Sequence, residues 1–384
     1  MGRHVPGFVD GYFGPAELKH EVEAETSPRS PNHLLADARG LAASLPRQPY
    51  DSQRKAYLAR QLTGILTVLR KLAGEVIPFA EEIRGCFDVL PARADESVFE
   101  AALRELDGLL PGDGSVRERM IAWRSQFDLP TQRILPLVAL IQAVVRQRTA
   151  TLIPLPAGES ATVELVTDRP WSGYNWYLGN YRSRVELNTD LPVRAYALPQ
   201  LVAHEIYPGH HTEHAVKEAL LYRGGGRLEH SILLINTPEC LISEGIASLA
   251  LDCVLPEDSR AAWLSEVFFP AAGMETLSVE QVLAIGRASR ALAAVSGNAA
   301  FLLNEDGRDR AEVAAYLERY ALLTPAEAQK RLSFLTDPLW RPYVFTYYYG
   351  EQLLRGWLDR IGWQTGFRRL VSEPLYPSQL IGAP

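Results

Sequence analysis

The chain has 384 residues, of which 47% are hydrophobic and 22% are charged, an ordinary balance for a globular protein with a large core. Its net charge is -7 and it has no long Lys/Arg cluster, which argues against a nucleic-acid-binding surface. Three cysteines without any CxxC spacing are too few for a disulfide framework or a thiolate zinc site, so we expect reduced, mostly buried thiols.

The longest apolar run, 134–145, is interrupted by Pro136 and Gln142. It is too short to span a bilayer, which needs about 20 residues. Residues 1–7 lack the apolar segment of a signal peptide. We therefore expect a cytoplasmic protein without membrane contacts.

Helical patterns dominate the first 150 residues, after an irregular stretch predicted for residues 1–30. The break at 111–114 contains two glycines and a proline, and Ser115 follows as the predicted N-cap of a helix that reaches about Phe127. A more buried helix is predicted for 130–149. Apolar residues at spacings of three and four predict three earlier helices, over 33–45, 52–77 and 95–110.

The pattern changes after Ile153. Segments 162–166 and 183–187 alternate polar and apolar residues and are predicted strands. The aromatic-rich stretch between them either lines a substrate groove or simply covers the sheet. Pro199 suits the first turn of the next helix. Further helices are predicted up to Leu255 and then over 261–322, 325–335 and about 342–361.

Four of the eight histidines lie within eleven residues: His204, His210, His211 and His214. Histidine is the commonest protein ligand for zinc, so this clustering is the first indication of a metal site. His204 is followed by Glu205, as in HExxH enzymes, where two histidines one helical turn apart hold zinc and the glutamate acts as general base.

The second histidine is displaced from that spacing. His204 and His210 are six residues apart, about 240° and 9 Å on an ideal helix, too far to share a metal. Pro208 and Gly209 should kink or bulge the helix and return His210 to the metal, because proline cannot continue a helix and glycine tolerates unusual backbone angles. His211 and His214 remain alternatives, and His214 forms an i, i+4 pair with His210.

A downstream helix offers a third ligand. Glu244 follows His210 by 34 residues, and a helical glutamate after the histidine pair is a common third zinc ligand that leaves one position open. Small residues after Glu244 should let another backbone approach closely. Asp252, two turns later, could orient a ligand histidine.

The segment 201–211, with its HExxPGHH pattern, resembles the signature of the bacterial domain of unknown function 885 family. The segment 243–247 is similar to that family's Glu-Gly-Trp-Ala helix, with Ile246 in place of Trp. Further similarity lies at 6–10, Gly14-Pro15 and 109–114. The family's fold is similar to that of carboxypeptidase Taq, a helical zinc carboxypeptidase with a small sheet beside its cleft.

The resemblance implies a mainly α, large helical bundle-like metallopeptidase fold. We expect one domain over 1–384, or two lobes: a helical lobe over 1–150 and a catalytic lobe over 151–384. The family's Tyr-x-x-Gly pattern indicates Tyr347, with Tyr348 second, as the donor to the developing oxyanion. Arg341 is either a clamp for a substrate carboxylate or a surface ion pair.

The sequence and the resemblance together therefore predict a zinc-dependent, carboxypeptidase-like metallopeptidase that acts on peptides or small amides. Zinc is expected to be held by His204, His210 and Glu244, with Glu205 as general base. Cobalt or manganese could replace zinc. One alternative is a metal-dependent hydrolase of a non-peptide amide or ester. Another is a non-catalytic binding protein whose structural metal has His211 or His214 as fourth ligand. No feature indicates an oligomeric state.

Overall fold

Helices make up most of the computed structural model, which describes residues 1–169 and 171–382, and the predicted mainly α fold is confirmed. Side chains of Ser30, Asp51, Asp95 and Ser115 accept hydrogen bonds from the first backbone N–H groups of helices, which stabilises their starts. The helices before the sheet are α1 (Ala16–Ala24), α2 (Pro31–Ser44), α3 (Ser52–Leu72), α4 (Phe79–Phe87), α5 (Glu96–Leu109), α6 (Val116–Ser125) and α7 (Thr131–Leu152).

The irregular start predicted for residues 1–30 is wrong in two places. It contains α1 and a short strand, β1 (Val9–Tyr12). β1 pairs antiparallel with β5 (Ile232–Leu234), far along the chain. A strand whose partner is so distant has no local turn signal, which is why the sequence pattern did not indicate it.

A three-stranded sheet lies where the sequence predicted a small one. Its strands are β2 (Ser160–Val166), β3 (Gly173–Gly179) and β4 (Arg182–Asn188), in the order β2-β4-β3. β4 pairs in parallel with β2 and antiparallel with β3. The two predicted strands are confirmed as parts of β2 and β4. The aromatic stretch between them supplies β3, an edge strand of this sheet.

Helices after the sheet surround one deeply buried helix, α10, which packs against α8 and α17. The predicted helical stretch 261–322 is divided into several shorter helices. Two helices follow the last one predicted. The full set is α8 (Leu198–Glu205), α9 (His210–Lys217), α10 (Pro238–Val254), α11 (Glu257–Trp263), α12 (Phe269–Ala272), α13 (Val279–Ser289), α14 (Val295–Asn304), α15 (Arg310–Tyr320), α16 (Pro325–Thr336), α17 (Val344–Ile361), α18 (Trp363–Ser372) and α19 (Pro377–Gly382).

Glycines bring the backbones of α10 and α17 together. A Cβ atom on Gly245 would lie 2.8 Å from the Gly350 carbonyl oxygen, closer than carbon and oxygen atoms can pack. The close approach predicted for the small residues after Glu244 is confirmed. One continuous cluster of buried side chains runs from Phe8 to Leu380 and includes residues on both sides of position 150.

None of the helices within 1–169 and 171–382 combines the length and the apolar character needed to cross a membrane.

Candidate metal centre

The helix that carries His204 does not bulge; it ends. α8 stops at Glu205, and α9 begins at His210 after four non-helical residues. The Gly209 N–H donates to the Ala203 carbonyl at 3.0 Å, which folds the linker back on α8. A Cβ atom on Gly209 would lie 1.9 Å from the His204 carbonyl oxygen, so no other residue fits. The insertion therefore makes a helix break rather than the expected kink.

The break brings His204, His210 and Glu244 together. Their ligand atoms all lie within 4.8 Å of one another. His204 Nε2 is 3.4 Å from Glu244 Oε2, and His210 Nε2 is 3.5 Å from Glu244 Oε1. The two imidazole rings are perpendicular, with centroids 4.8 Å apart. The sequence placed these residues on one site, and the fold assembles them from α8, α9 and α10.

These three residues fit a zinc ion. Zinc bonds of about 2.0–2.1 Å in tetrahedral geometry place ligand atoms about 3.3 Å apart, close to the two measured nitrogen–oxygen distances. Two histidines and one glutamate form a known catalytic donor set. Glu244 Oε2 is buried and has no hydrogen-bond partner among the described residues, as a carboxylate oxygen reserved for a cation would be.

The charges of the cluster favour the binding of a cation between its side chains. Burial by itself lowers the pKa of His210, but the adjacent Glu244 carboxylate outweighs it and raises that pKa to about 9. Burial by itself would raise the pKa of the Glu244 carboxyl. His210 and His204 outweigh this effect and hold that pKa well below its usual range. A buried carboxylate that stays ionised between two imidazoles attracts a cation.

Glu205 lies beside the cluster and is 5% exposed. Burial raises the pKa of its carboxyl above the usual value, and Glu244 and Asp10 add to the rise while His204 and His210 oppose it. A Cβ atom on Gly173 of β3 would be 2.9 Å from Glu205 Oε1. The glutamate is therefore held directly beneath an edge strand, and its burial raises its pKa, as suits a general base.

Ser243 and Glu213 orient His210. His210 Nδ1 is 3.1 Å from Ser243 Oγ, which donates at 2.5 Å to Glu213. Glu213 in turn accepts from Lys217 at 2.7 Å. The role predicted for Asp252 is wrong, because Asp252 accepts from Arg260 and Arg355, at 2.7 Å each. Arg260 lies on the next helix, whereas Arg355 lies far along the chain, and only the tertiary fold brings it to Asp252.

His211 and His214, the two alternative ligands, lie in different surroundings. His211 is fully buried, and its two ring nitrogens are taken by Ser183 at 2.8 Å and by Glu159 at 2.9 Å. His214 stacks on His210 at 5.8 Å, and burial holds its pKa well below the usual value. Neither belongs to the His204–His210–Glu244 cluster among the described residues.

Three tyrosines near the start of α17 differ in position. Tyr343, which sequence reasoning missed, donates its phenol hydrogen to Glu244. Tyr347 packs edge-on against Tyr343, with ring centroids 5.5 Å apart. Tyr347 is 41% exposed, and burial by its surroundings raises the pKa of its phenol. Tyr348 points away and packs against Gly297 of α14.

Arg341 lies away from the cluster. Its guanidinium pairs with the buried carboxylate of Glu82 and rests 5.5 Å above the ring of Phe79. This is the ion-pair alternative left open by the sequence. An arginine committed to a buried glutamate has few free donors for a substrate carboxylate.

Asp10 is an acidic neighbour of the cluster that the sequence did not single out for chemistry. It lies on β1 and accepts a hydrogen bond from Tyr174 of β3. Burial raises the pKa of its carboxyl, and Glu244 adds to the rise, whereas Tyr174 and His210 oppose it. The only sequence signal was its position in the family-like segment 6–10.

The aromatic residues of the β3 region stack on one another. Trp171 and Tyr174 have ring centroids 4.7 Å apart, and Tyr174 and Trp176 have centroids 4.6 Å apart. Because Tyr174 also binds Asp10, this stack adjoins the cluster.

Comparison with known proteins finds similar folds but does not identify an activity. No protein-family model matches the chain, and no curated protein matches its sequence. Two solved structures have a similar fold. A candidate lipoprotein from Colwellia psychrerythraea is 14% identical, with a TM-score of 0.55 over 94% of this chain and 67% of that one. A candidate lipoprotein of unknown function from Shewanella oneidensis is 11% identical, with a TM-score of 0.52 over 91% and 72%.

Proposed function

We propose that this protein is a zinc-dependent metallopeptidase. The observation that carries the proposal is the convergence of His204, His210 and Glu244 within 4.8 Å, with the carboxylate of Glu205 buried beside them. Three protein ligands are the number found in catalytic zinc sites, whereas structural sites have four. The occupied ring nitrogens of His211 further disfavour a four-ligand structural site.

Zinc held by these residues would polarise the scissile carbonyl and lower the pKa of a water molecule. Glu205 accepts the proton of the attacking water and delivers it to the leaving amine. Tyr347, partly exposed beside Tyr343, donates a hydrogen bond to the developing oxyanion. Tyr343 holds the Glu244 carboxylate in place through its own hydrogen bond.

The edge strand β3 is our reason for proposing a peptide as the substrate. An extended peptide can add to a free sheet edge through backbone hydrogen bonds. β3 has β4 on one side and passes within contact distance of Glu205 at Gly173. Asn175 of the same strand donates to the Glu205 backbone carbonyl at 2.6 Å, which fixes the strand relative to the helix. A peptide is thus favoured over a small ester.

The resemblance of segment 201–211 to the domain of unknown function 885 signature supports the same proposal.

The test uses untagged protein and its Glu205→Gln variant. We expect about one zinc ion per chain in both by elemental analysis. Wild type should cleave members of a peptide mixture, read by mass spectrometry, and E205Q should lose this activity by about 1000-fold or more. Small amides and esters in the same panel separate a peptidase from a broader hydrolase. Protein that binds no zinc, or an active E205Q, would contradict the proposal.

A further inference from the structure

Strand β1 lies against the outer edge of β3 without joining its sheet. A Cβ atom on Gly11 would lie 3.7 Å from the Tyr177 carbonyl oxygen, and one on Gly179 would lie 2.6 Å from Phe13 Cβ. The rings of Phe13 and Tyr177 meet edge-on, with centroids 5.0 Å apart. Among residues 1–169 and 171–382, however, the ladder partner of β1 is β5, in a separate two-stranded sheet. β1 therefore covers part of the β3 edge by packing and not by strand pairing.

One hydrogen bond joins the two strands at the end of β3 nearest the metal cluster. Tyr174 donates its phenol hydrogen to the carboxylate of Asp10. Tyr174 directly follows Gly173, where an added Cβ atom would be 2.9 Å from Glu205 Oε1. The contact between Asp10 and Tyr174 thus acts as a latch that holds β1 beside the candidate site.

The chain that begins with β1 has no anchor in the hydrophobic core. Phe8 is 1% exposed and Leu35 is 8% exposed, but none of the residues between them, 9–34, is buried. This segment contains β1 and α1. Segments with few buried contacts open at a lower free-energy cost than the core of a protein. Residues 9–34 can therefore move between two fixed ends.

The closed position of β1 competes with a peptide for the same edge. A peptide that adds to β3 bonds to the backbone groups of its outer edge, and β1 covers that edge at Tyr177 and Gly179. A peptide can extend along the whole strand only when β1 has moved aside. The peptide would then form ladder hydrogen bonds with β3, which β1 does not form, and these bonds offset the cost of opening.

We propose that residues 9–34 form a strap that opens and closes the outer edge of β3, with the hydrogen bond between Tyr174 and Asp10 as its latch. The inference rests on the proposed peptidase function for what the open strap admits, an extended peptide. In its closed position the strap also shields a sheet edge that could otherwise pair with another chain.

The experiment compares Tyr174→Phe, which removes the latch and keeps the ring, with Tyr12→Phe. The Tyr12 hydroxyl donates to the Pro15 carbonyl at 2.8 Å, a bond within the strap that opening leaves intact. Hydrogen–deuterium exchange of the β1 amides measures opening, and kcat/KM on a peptide mixture measures access. We expect exchange in Y174F to be about 10- to 100-fold faster than in wild type. Its kcat/KM should rise by up to the same factor, and Y12F should match wild type in both measurements.

Phe13→Ala weakens the strap at its other contact, with Tyr177. It should change both measurements in the same direction as Y174F, which separates opening from a direct effect of Tyr174 on the cluster. Exchange of the β1 amides at the wild-type rate in both variants would overturn the strap and leave the peptidase function standing. Faster exchange without a rise in kcat/KM would overturn its role in access. If no variant cleaved a peptide, the peptidase proposal would fail, and faster exchange in Y174F and F13A would still support a moving strap.

Discussion

Ser243 ties a candidate zinc ligand to a buried charged network. It lies 3.1 Å from His210 Nδ1 and donates to Glu213, which is paired with Lys217. Lys217 also donates to Glu239 at 3.1 Å. Such partners fix the ring orientation and the tautomer of a metal-binding histidine, so the precision of the site depends on residues that do not touch the metal.

Replacing Ser243 by alanine should weaken zinc binding by about 10- to 100-fold, the usual cost of losing an orienting partner. Competition with a zinc chelator measures the affinity. Ser248→Ala is the matched control, because it changes the same residue type on α10, whereas the hydroxyl that contacts His210 is that of Ser243. A zinc affinity of S243A equal to that of S248A would show that Ser243 does not position His210.

At the scale of elements, the site depends on a break between two helices. α8 and α9 are joined by residues 206–209, and the Thr212 N–H donates to the Ile206 carbonyl at 3.2 Å. This bond and the one from Gly209 to Ala203 satisfy backbone groups that a broken helix would otherwise leave unpaired. The linker thereby sets the angle at which His210 meets His204.

Gly209→Ala should destroy this arrangement. The added methyl would meet the His204 carbonyl at 1.9 Å, so the linker has to move and the free energy of unfolding should fall by about 3 kcal/mol or more. Zinc binding should fall with it. Gly40→Ala in α2, where nothing lies within 4 Å of the new methyl, should instead gain up to about 1 kcal/mol from helix propensity. Urea unfolding measures the stability of both variants, and elemental analysis measures the zinc content of G209A. Unchanged zinc content in G209A would show that the linker does not need glycine at this position to form the site.

On the scale of the whole molecule, one buried carboxylate connects both halves of the chain. Glu159 accepts from Arg146 of α7, from Tyr207 of the linker and from His211 of α9. Burial by itself raises the pKa of Glu159, but hydrogen bonds from His211, Tyr207 and Arg146 outweigh it and lower that pKa to about 2. The two halves of the chain thus share a charged contact at Glu159 in addition to the continuous hydrophobic core.

This contact predicts a pH-dependent stability. Because the pKa of Glu159 is lower in the folded state than its usual value of 4.5, its stabilisation is present above about pH 4.5 and is lost as the pH falls towards 2. Glu159→Gln should lower the free energy of unfolding at pH 7 by about 2–3 kcal/mol. The difference from wild type should narrow at about pH 3.

Urea unfolding at the two pH values measures the effect. Glu164→Gln, in the exposed ion pair of β2 with Arg184, is the control and should change stability by less than about 1 kcal/mol at either pH. A penalty in E159Q that is the same at pH 7 and at about pH 3 would contradict the role of its charge.

Tertiary contacts decided which polar residues were available for chemistry. The sequence offered Arg341 as a carboxylate clamp and Asp252 as a partner for a histidine. The fold instead pairs Arg341 with Glu82 and Asp252 with Arg355, residues far apart in the chain. Tyr343 carried no pattern of its own, and the only signal for Asp10 was its place in the family-like segment 6–10. A side chain's free donors depend on what the fold brings beside it, and helical or strand periodicity holds no information on that.

The sequence by itself determined the mainly α class, most helix positions, two strands of the sheet and the set His204, Glu205, His210 and Glu244 as a candidate site. Local periodicity, capping residues and ligand spacing specify such features because they act over a few residues. Only the tertiary structure decided that residues 206–209 break the helix, that β1 pairs with β5, and that His211 binds Glu159. These outcomes depend on contacts between segments far apart in the chain, whose energies no local pattern records.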